Sequence, residues 1–94
     1  MKNPDREQVT RLDELPNIGK AMAASLQLIG IDHPRKLIGK EAVELYKELC
    51  ARSGKKQDPC VLDVFMAAIH FMEGGEPLPW WSFTDKRKKR LSGL

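Results

Sequence analysis

The chain has 94 residues, 41% of them hydrophobic and 31% charged, with a formal net charge of +3. That is one domain's worth of chain, apolar enough for one small core and too apolar for a disordered segment. No apolar run approaches the roughly 18 residues of a membrane span, and the stretch through Leu15 holds no apolar block of the kind a signal peptide needs, so a cytoplasmic protein away from membranes is expected.

The elements follow in chain order. Asn3 or Asp5 is placed to cap a first helix, with Pro4 in its first turn. Val9, Leu12 and Leu15 recur every three residues and mark its buried stripe, and Pro16 ends it. A second helix is predicted from about Gly19 to Ile29, with Met22, Ala23, Leu26 and Ile29 along one side and Gly30 as a left-handed stop. Asp32 or His33 before Pro34 reads as the entry to a short helix. A longer one covers about Lys40 to Arg52 through Ala42, Leu45, Tyr46, Leu49 and Cys50, and stops at Ser53-Gly54. Asp58 and Pro59 open the next helix. Its sequence, PCVLDVFMAAIHFME, is apolar on nearly every side, so it should be the central, most buried one. Gly74-Gly75 end it.

EPLPWW, with two prolines around one leucine, breaks the helical pattern. Trp80 and Trp81 are expected to cover an edge of the core, and Thr84 or Asp85 to start a last short helix. No segment alternates with a period of two, so no strand is expected. An I-G-K start occurs at both Ile18 and Ile38, but the small residue that follows the first does not recur at the same offset. The shared start is therefore the whole argument for a second, degenerate hairpin.

Charge is unevenly spread. Five of the 16 Lys and Arg lie in Lys86–Arg90, and the remaining 11 face 13 acidic residues, leaving the rest of the chain at −2. This excludes a broad, strongly basic footprint. Attraction to nucleic acid must come from one local site, from the run Lys86, Arg87, Lys88, Lys89 and Arg90, or from both. The bland reading of such a run is a solvated, mobile end.

The local site is Leu12-x-x-Leu15-Pro16-Asn17-Ile18-Gly19-Lys20-x-x-Ala23-x-x-Leu26, which resembles the helix-hairpin-helix motif. That motif has glycine, an aliphatic residue and glycine in the hairpin, then a small residue four positions on. Gly19 and Ala23 stand where expected. Asn17 replaces the first glycine, and asparagine is the commonest substitute where left-handed backbone is required. The physical case stands beside the resemblance. The first amides of a helix lack internal partners and lie at the positive end of its dipole. Glycine there leaves no side chain to block a phosphate oxygen, and consecutive turn amides form a concave anion site. Lys20 is unfavourable for the helix alone but matches a bound phosphate. Asn17, Ile18, Gly19 and Lys20 are therefore candidate contacts to a DNA backbone, double-stranded, sequence-independent and salt-sensitive. The structural alternative is a joint between packed helices, with Ile18 plugging the gap, Ala23 allowing close approach and Lys20 merely solvated.

LPNIGKAMAASLQLIGI, QDPCVLDVF and PWWSFTDKRK together resemble the small bacterial "pathogenicity locus" helix-hairpin-helix family over about residues 7 to 90. Some members are labelled mitomycin-resistance proteins. The hairpin half is also similar to the C-terminal domain of TfoX-type competence regulators. The resemblance implies an all-α, SAM/helix-hairpin-helix-like bundle of about five helices in a single domain over residues 1–94. Within it the helix-hairpin-helix covers about 6–30, a helical hairpin about 40–73, and a Trp-containing extension and basic tail 76–94.

Other chemistry is sparse. Cys50 and Cys60, late in one helix and early in the next, are candidates for a redox or disulfide role, with Cys60's thiolate favoured by a helix N-terminus; the competing reading is two reduced thiols. Asp63 and His70 share a face of the apolar helix. Asp63 is expected to accept from a tryptophan indole or a backbone amide, and His70 to lie at a polar edge. No metal-ligand spacing, P-loop or dinucleotide fingerprint is present, and neither cofactor nor catalysis is expected. Three functions remain: a non-specific DNA-binding accessory protein, a protein-interaction module with a purely structural hairpin, and a thiol-redox protein.

Overall fold

The computed structural model describes residues 5–92. Among them are four α-helices and three short 3-10 turns, the latter at Leu12–Glu14, Pro34–Leu37 and Trp80–Phe83. The helices are α1 (Lys20–Leu28), α2 (Ala42–Ser53), α3 (Cys60–Met72) and α4 (Thr84–Ser92), and the described residues contain no strand. The fold is all-α.

α3 is the centre. Every residue from Leu62 to Ile69 is buried, and α2, α4 and the turns at Pro34–Leu37 and Trp80–Phe83 pack on it. Its start follows from Asp58, whose Oδ1 accepts the Cys60 N–H at 2.8 Å while its carbonyl accepts from Val61 at 2.9 Å. α2 runs until Gly54, which takes the left-handed conformation at φ 73° that a helix stop requires and glycine adopts without strain.

The expected first helix is absent, and Asn3 and Pro4 lie outside the described residues. Asp5 closes a single turn, its carbonyl accepting from Gln8 and Val9 at 3.0 and 3.2 Å. The backbone is then extended at Arg11. Glu14 is the reason: its Oε1 accepts the N–H groups of Thr10 and Arg11 at 3.0 and 2.8 Å. A side chain thus takes amides that a continuous helix would bond to carbonyls, and starts a new turn at Leu12. Pro16 prevents that turn from growing. Val9, Leu12 and Leu15 are nevertheless 4%, 3% and 0% exposed. Spacing by three marked burial correctly, because it suits the three-residue period of a 3-10 turn as well as a helix face.

Residues 9–49 contain a structural repeat at a spacing of 22. The 3-10 turns start at Leu12 and Pro34, the left-handed residues are Asn17 (φ 69°) and Gly39 (φ 81°), and the helix caps are Gly19 and Glu41. The hydrogen bonds repeat too: Glu14 to Arg11 matches Lys36 to His33, Ile18 to Leu15 matches Lys40 to Leu37, and Ala23 to Gly19 matches Leu45 to Glu41. Leu15 and Leu37, fully buried, end the two turns. A second copy of the turn is therefore present. The I-G-K likeness misplaces it by two residues, since the structure pairs Ile18 with Lys40. His33 enters the second 3-10 turn as expected, its Nδ1 accepting from Arg35 N–H at 3.1 Å.

Three contacts close the molecule. Arg6 donates from Nε to the Phe71 carbonyl at 2.8 Å and from its terminal nitrogen to the Gly75 carbonyl at 2.6 Å, with its guanidinium 5.0 Å from the centre of the Phe71 ring. It thereby ties the segment before the Leu12–Glu14 turn to the end of α3 and to the Gly75 carbonyl just beyond it. Gly75 approaches the His70 ring so closely that a Cβ would lie 2.2 Å from Nε2, and His70 meets Phe83 edge-on at 5.5 Å. The fully buried Asp63 accepts from Arg87 Nε and Thr84 Oγ1, both at 2.8 Å, which pins α4 to α3. Its partners are thus an arginine and a hydroxyl, replacing the expected indole or amide. The two tryptophans divide: Trp80 packs on the core, while Trp81 is 63% exposed and does not cover it.

Candidate nucleic-acid interface

The hairpin turn separates its side chains from its backbone. Pro16 is buried and Ile18 is 1% exposed, so Ile18 does plug the joint. Asn17 adopts the left-handed conformation that its place in the motif demands, and its side chain points into the molecule. Nδ2 donates to the Leu78 carbonyl at 2.8 Å, and Oδ1 accepts the Trp80 N–H at 3.2 Å. Asn17 is thus a glycine substitute with a second task, clamping the proline-rich segment that leads to α4.

Gly19 and Lys20 face outward. Both are exposed, and a Cβ built on Gly19 meets nothing within 4 Å. Gly19 caps α1 without a side-chain hydrogen bond, and the first turn of α1 has no acidic residue. The positive end of the α1 dipole is therefore left without protein counter-charge. Lys20 borders a groove of about 270 Å³ between the Leu12–Glu14 turn and α1, shared with Asp13 and Asp32. These carboxylates already have cations: Arg11 is 2.7 Å from Asp13 and Lys36 is 2.8 Å from Asp32. No ion pair among the described residues includes Lys20.

The basic run is a helix rather than a loose end, and its members differ. Arg87 is committed to Asp63, with 13% of its side chain exposed, and serves packing instead of an outside phosphate. Arg90 pairs with Glu41 at 2.5 Å in an exposed contact. Lys86, Lys88 and Lys89 are exposed. α1 packs on α2 and on the Leu12–Glu14 turn, whereas α4 packs on α3 and on the Trp80–Phe83 turn. Hairpin and basic helix are linked instead through the Asn17 clamp on Leu78 and Trp80.

Cys50 and Cys60 are free thiols. Cys50 Sγ accepts the Gln57 N–H at 3.4 Å. The Asp58 carboxylate, hydrogen-bonded to Cys60, pushes that thiol's pKa up. The Asp58 carboxylate thus opposes the thiolate that the helix N-terminus was expected to favour. The same contact and the Cys60 N–H hold Asp58 below the usual carboxylate range. Burial above all raises the Tyr46 hydroxyl, which donates to the Gln57 carbonyl at 2.5 Å.

Sequence reasoning missed Arg6, Glu14, Glu41 and the partnership of Asp63 with Arg87. A signal existed for the last: one acid in an apolar helix requires a cation, and arginine suits buried carboxylates better than lysine.

No helix of the described residues is long and apolar enough to cross a membrane, and no solved structure matches the chain. It is 39% identical over 82 residues to the mitomycin resistance protein McrB of Streptomyces lavendulae, covering 87% of this chain and 78% of that protein. A model of the family described as Cdd1, pathogenicity locus, matches residues 5–89, and the chain belongs to that family.

Proposed function

We propose that this protein is a cytoplasmic accessory factor that binds double-stranded DNA without sequence preference, through the backbone, and without turnover of its own. The observation that carries the reading is the open start of α1: an outward Gly19, an uncapped helix end and an unpaired Lys20. The turn would act as a helix-hairpin-helix reduced on its first side to a 3-10 turn. The Gly19 and Lys20 amides are the grip, since the Ile18 N–H is taken by the Leu15 carbonyl at 3.2 Å; Lys20 supplies charge, and Lys86 and Lys88 of α4 add attraction at longer range. The mitomycin-resistance name of the relative suggests drug resistance as a setting for such a role.

The test is duplex binding measured against salt. Affinity should fall with a log–log slope on the order of −0.9 per phosphate neutralised, and stay shallow because few cations are available. Lys20→Glu should weaken binding without lowering the melting temperature, since an acid suits the start of a helix. Absent binding at low salt, or affinity indifferent to Lys20→Glu, defeats the proposal. A protein-interaction reading has its own observation, the exposed Trp81, Leu28 and Ile38. It predicts no duplex binding even at low salt.

A further inference from the structure

A cleft of about 240 Å³ opens where the start of α2 meets α3 and α4. Its apolar wall is Met66, Ile69 and Phe83, and it is reached by Lys40 from just before α2 and by Lys86 and Arg90, one turn apart on α4. No ion pair among the described residues includes Lys40 or Lys86. Two carboxylates also line it, and both are engaged: Glu41 with Arg90 at 2.5 Å, and Glu73 accepting the Gly39 N–H at 2.9 Å. By the 22-residue repeat, this cleft lies at the second copy of the turn, where Glu41 occupies the place of the open Gly19.

We propose that this cleft is a phosphate-binding site, distinct from the first hairpin, in which the Glu41 carboxylate holds Arg90 until a phosphate group displaces it. The Glu41–Arg90 pair is about half exposed on both sides, and such pairs hold weakly. A phosphate offers Arg90 a bidentate partner and a larger charge, with Lys40 and Lys86 as further donors. The volume lies below that of drug-sized pockets, so the cleft takes one phosphate with at most a small apolar body against Phe83. The source is either a free nucleotide or the backbone of a nucleic acid. The inference does not rest on the hairpin reading.

Inorganic phosphate and a nucleoside 5′-monophosphate, titrated separately into the full chain, test it by amide NMR shifts. Saturable shifts at Lys40, Glu41, Lys86 and Arg90 are expected with inorganic phosphate. Lys40→Gln and Lys86→Gln should each weaken binding roughly three- to tenfold. Glu41→Gln, which removes the competitor, should tighten it by up to about fivefold. Tighter binding of the nucleotide than of phosphate supports a free ligand. A duplex affinity lowered by the double Lys40→Gln/Lys86→Gln substitution supports a nucleic-acid backbone. No saturable shift from either probe, or shifts that persist in the double variant, overturns the site. Lys20→Glu should leave the phosphate shifts unchanged, which separates failure here from failure at the hairpin. All of these are surface positions, and far-UV spectra check that each variant folds.

Discussion

Replacing Asp63 with alanine should unfold this protein more readily than truncating most single apolar residues. The carboxylate is fully buried, while Arg87 keeps only 13% of its side chain in solvent. Removing one partner of a buried pair costs about 3–5 kcal/mol, because the other charge is left uncompensated. Arg87 cannot escape by losing its proton, and Asp63 raises its pKa further in the native state. Its tip can, however, turn toward solvent, so the lower end of that range applies. The Thr84 hydroxyl, which donates to Asp63 at 2.8 Å, loses its acceptor for about 1 kcal/mol more. The total, about 4 kcal/mol, is a large part of the roughly 5–14 kcal/mol expected for a chain of this length. It corresponds to a drop of roughly 15–30 °C in melting temperature. Urea unfolding followed by circular dichroism measures the loss directly. The double variant Asp63→Leu/Arg87→Met, which removes both charges and keeps volume, should recover most of it. A loss below about 1 kcal/mol in Asp63→Ala, or no recovery in the double variant, refutes the view that this pair holds α4 in place.

Asn17→Gly restores the usual hairpin residue and keeps the left-handed backbone, yet should destabilise by about 1–2 kcal/mol through loss of the two hydrogen bonds to Leu78 and Trp80. Asn17→Ala should cost more, since it adds left-handed strain; a neutral glycine variant in urea melts would refute the clamp. Cys60 should react with iodoacetamide at neutral pH more slowly than an unperturbed thiol, because Asp58 raises its pKa. Asp58→Asn should speed it, and a native Cys60 faster than a model thiol would contradict this. Acid should weaken the fold through three exposed carboxylates, each held below its ordinary pKa. Glu14 is lowered by the Thr10 and Arg11 amides, Asp32 by Lys36 and Asp58 by the Cys60 amide. Their contribution is complete above their unfolded values, near pH 4, and is lost as pH falls through the lowered ones. The urea midpoint should therefore be flat between about pH 5 and 7 and lower at about pH 3; a midpoint unchanged or raised at low pH would refute the assignment.

α1, α2 and α3 were legible because each had an apolar pattern and a local start or stop, Gly30 after α1, Ser53-Gly54 after α2 and Asp58-Pro59 before α3, whereas α4 was marked only by its cap at Thr84. Hydrogen bonds between side chains and backbone, local or distant, were not legible. Glu14 reads as an ordinary helix former until its carboxylate is seen to take the Thr10 and Arg11 amides. A predicted helix there becomes one 3-10 turn. The second copy of the turn was hidden because its left-handed residue is glycine where the first has asparagine, and its cap is glutamate where the first has glycine. Backbone geometry repeats while chemistry does not, so a search for matching letters finds the wrong register. The site was half legible for the same reason. The motif indicated that Gly19 and Lys20 start a helix at an open end, but nothing local to Asn17 says that its amide clamps Leu78 and Trp80.

The basic run shows how a charge pattern changes meaning once folded. Five consecutive cations suggest a polyelectrolyte tail whose members are interchangeable. On α4 they are not, because a helix presents residues three and four apart on one side. Thr84, Arg87 and Leu91 lie toward α3 and the core, and Arg90, one turn from Arg87, reaches back to Glu41. Both inward-reaching cations are arginines, whose planar fork matches a carboxylate and whose charge persists when buried. The exposed positions Lys86, Lys88 and Lys89 are lysines, which stay hydrated and leave contacts easily. The division assigns Arg87 to holding the helix and Lys86 and Lys88 to what lies outside it. Arg87→Lys should therefore cost stability, while Lys88→Arg should leave it unaltered. The reverse pattern would mean that α4 is held by its apolar residues alone and that its cations are equivalent after all.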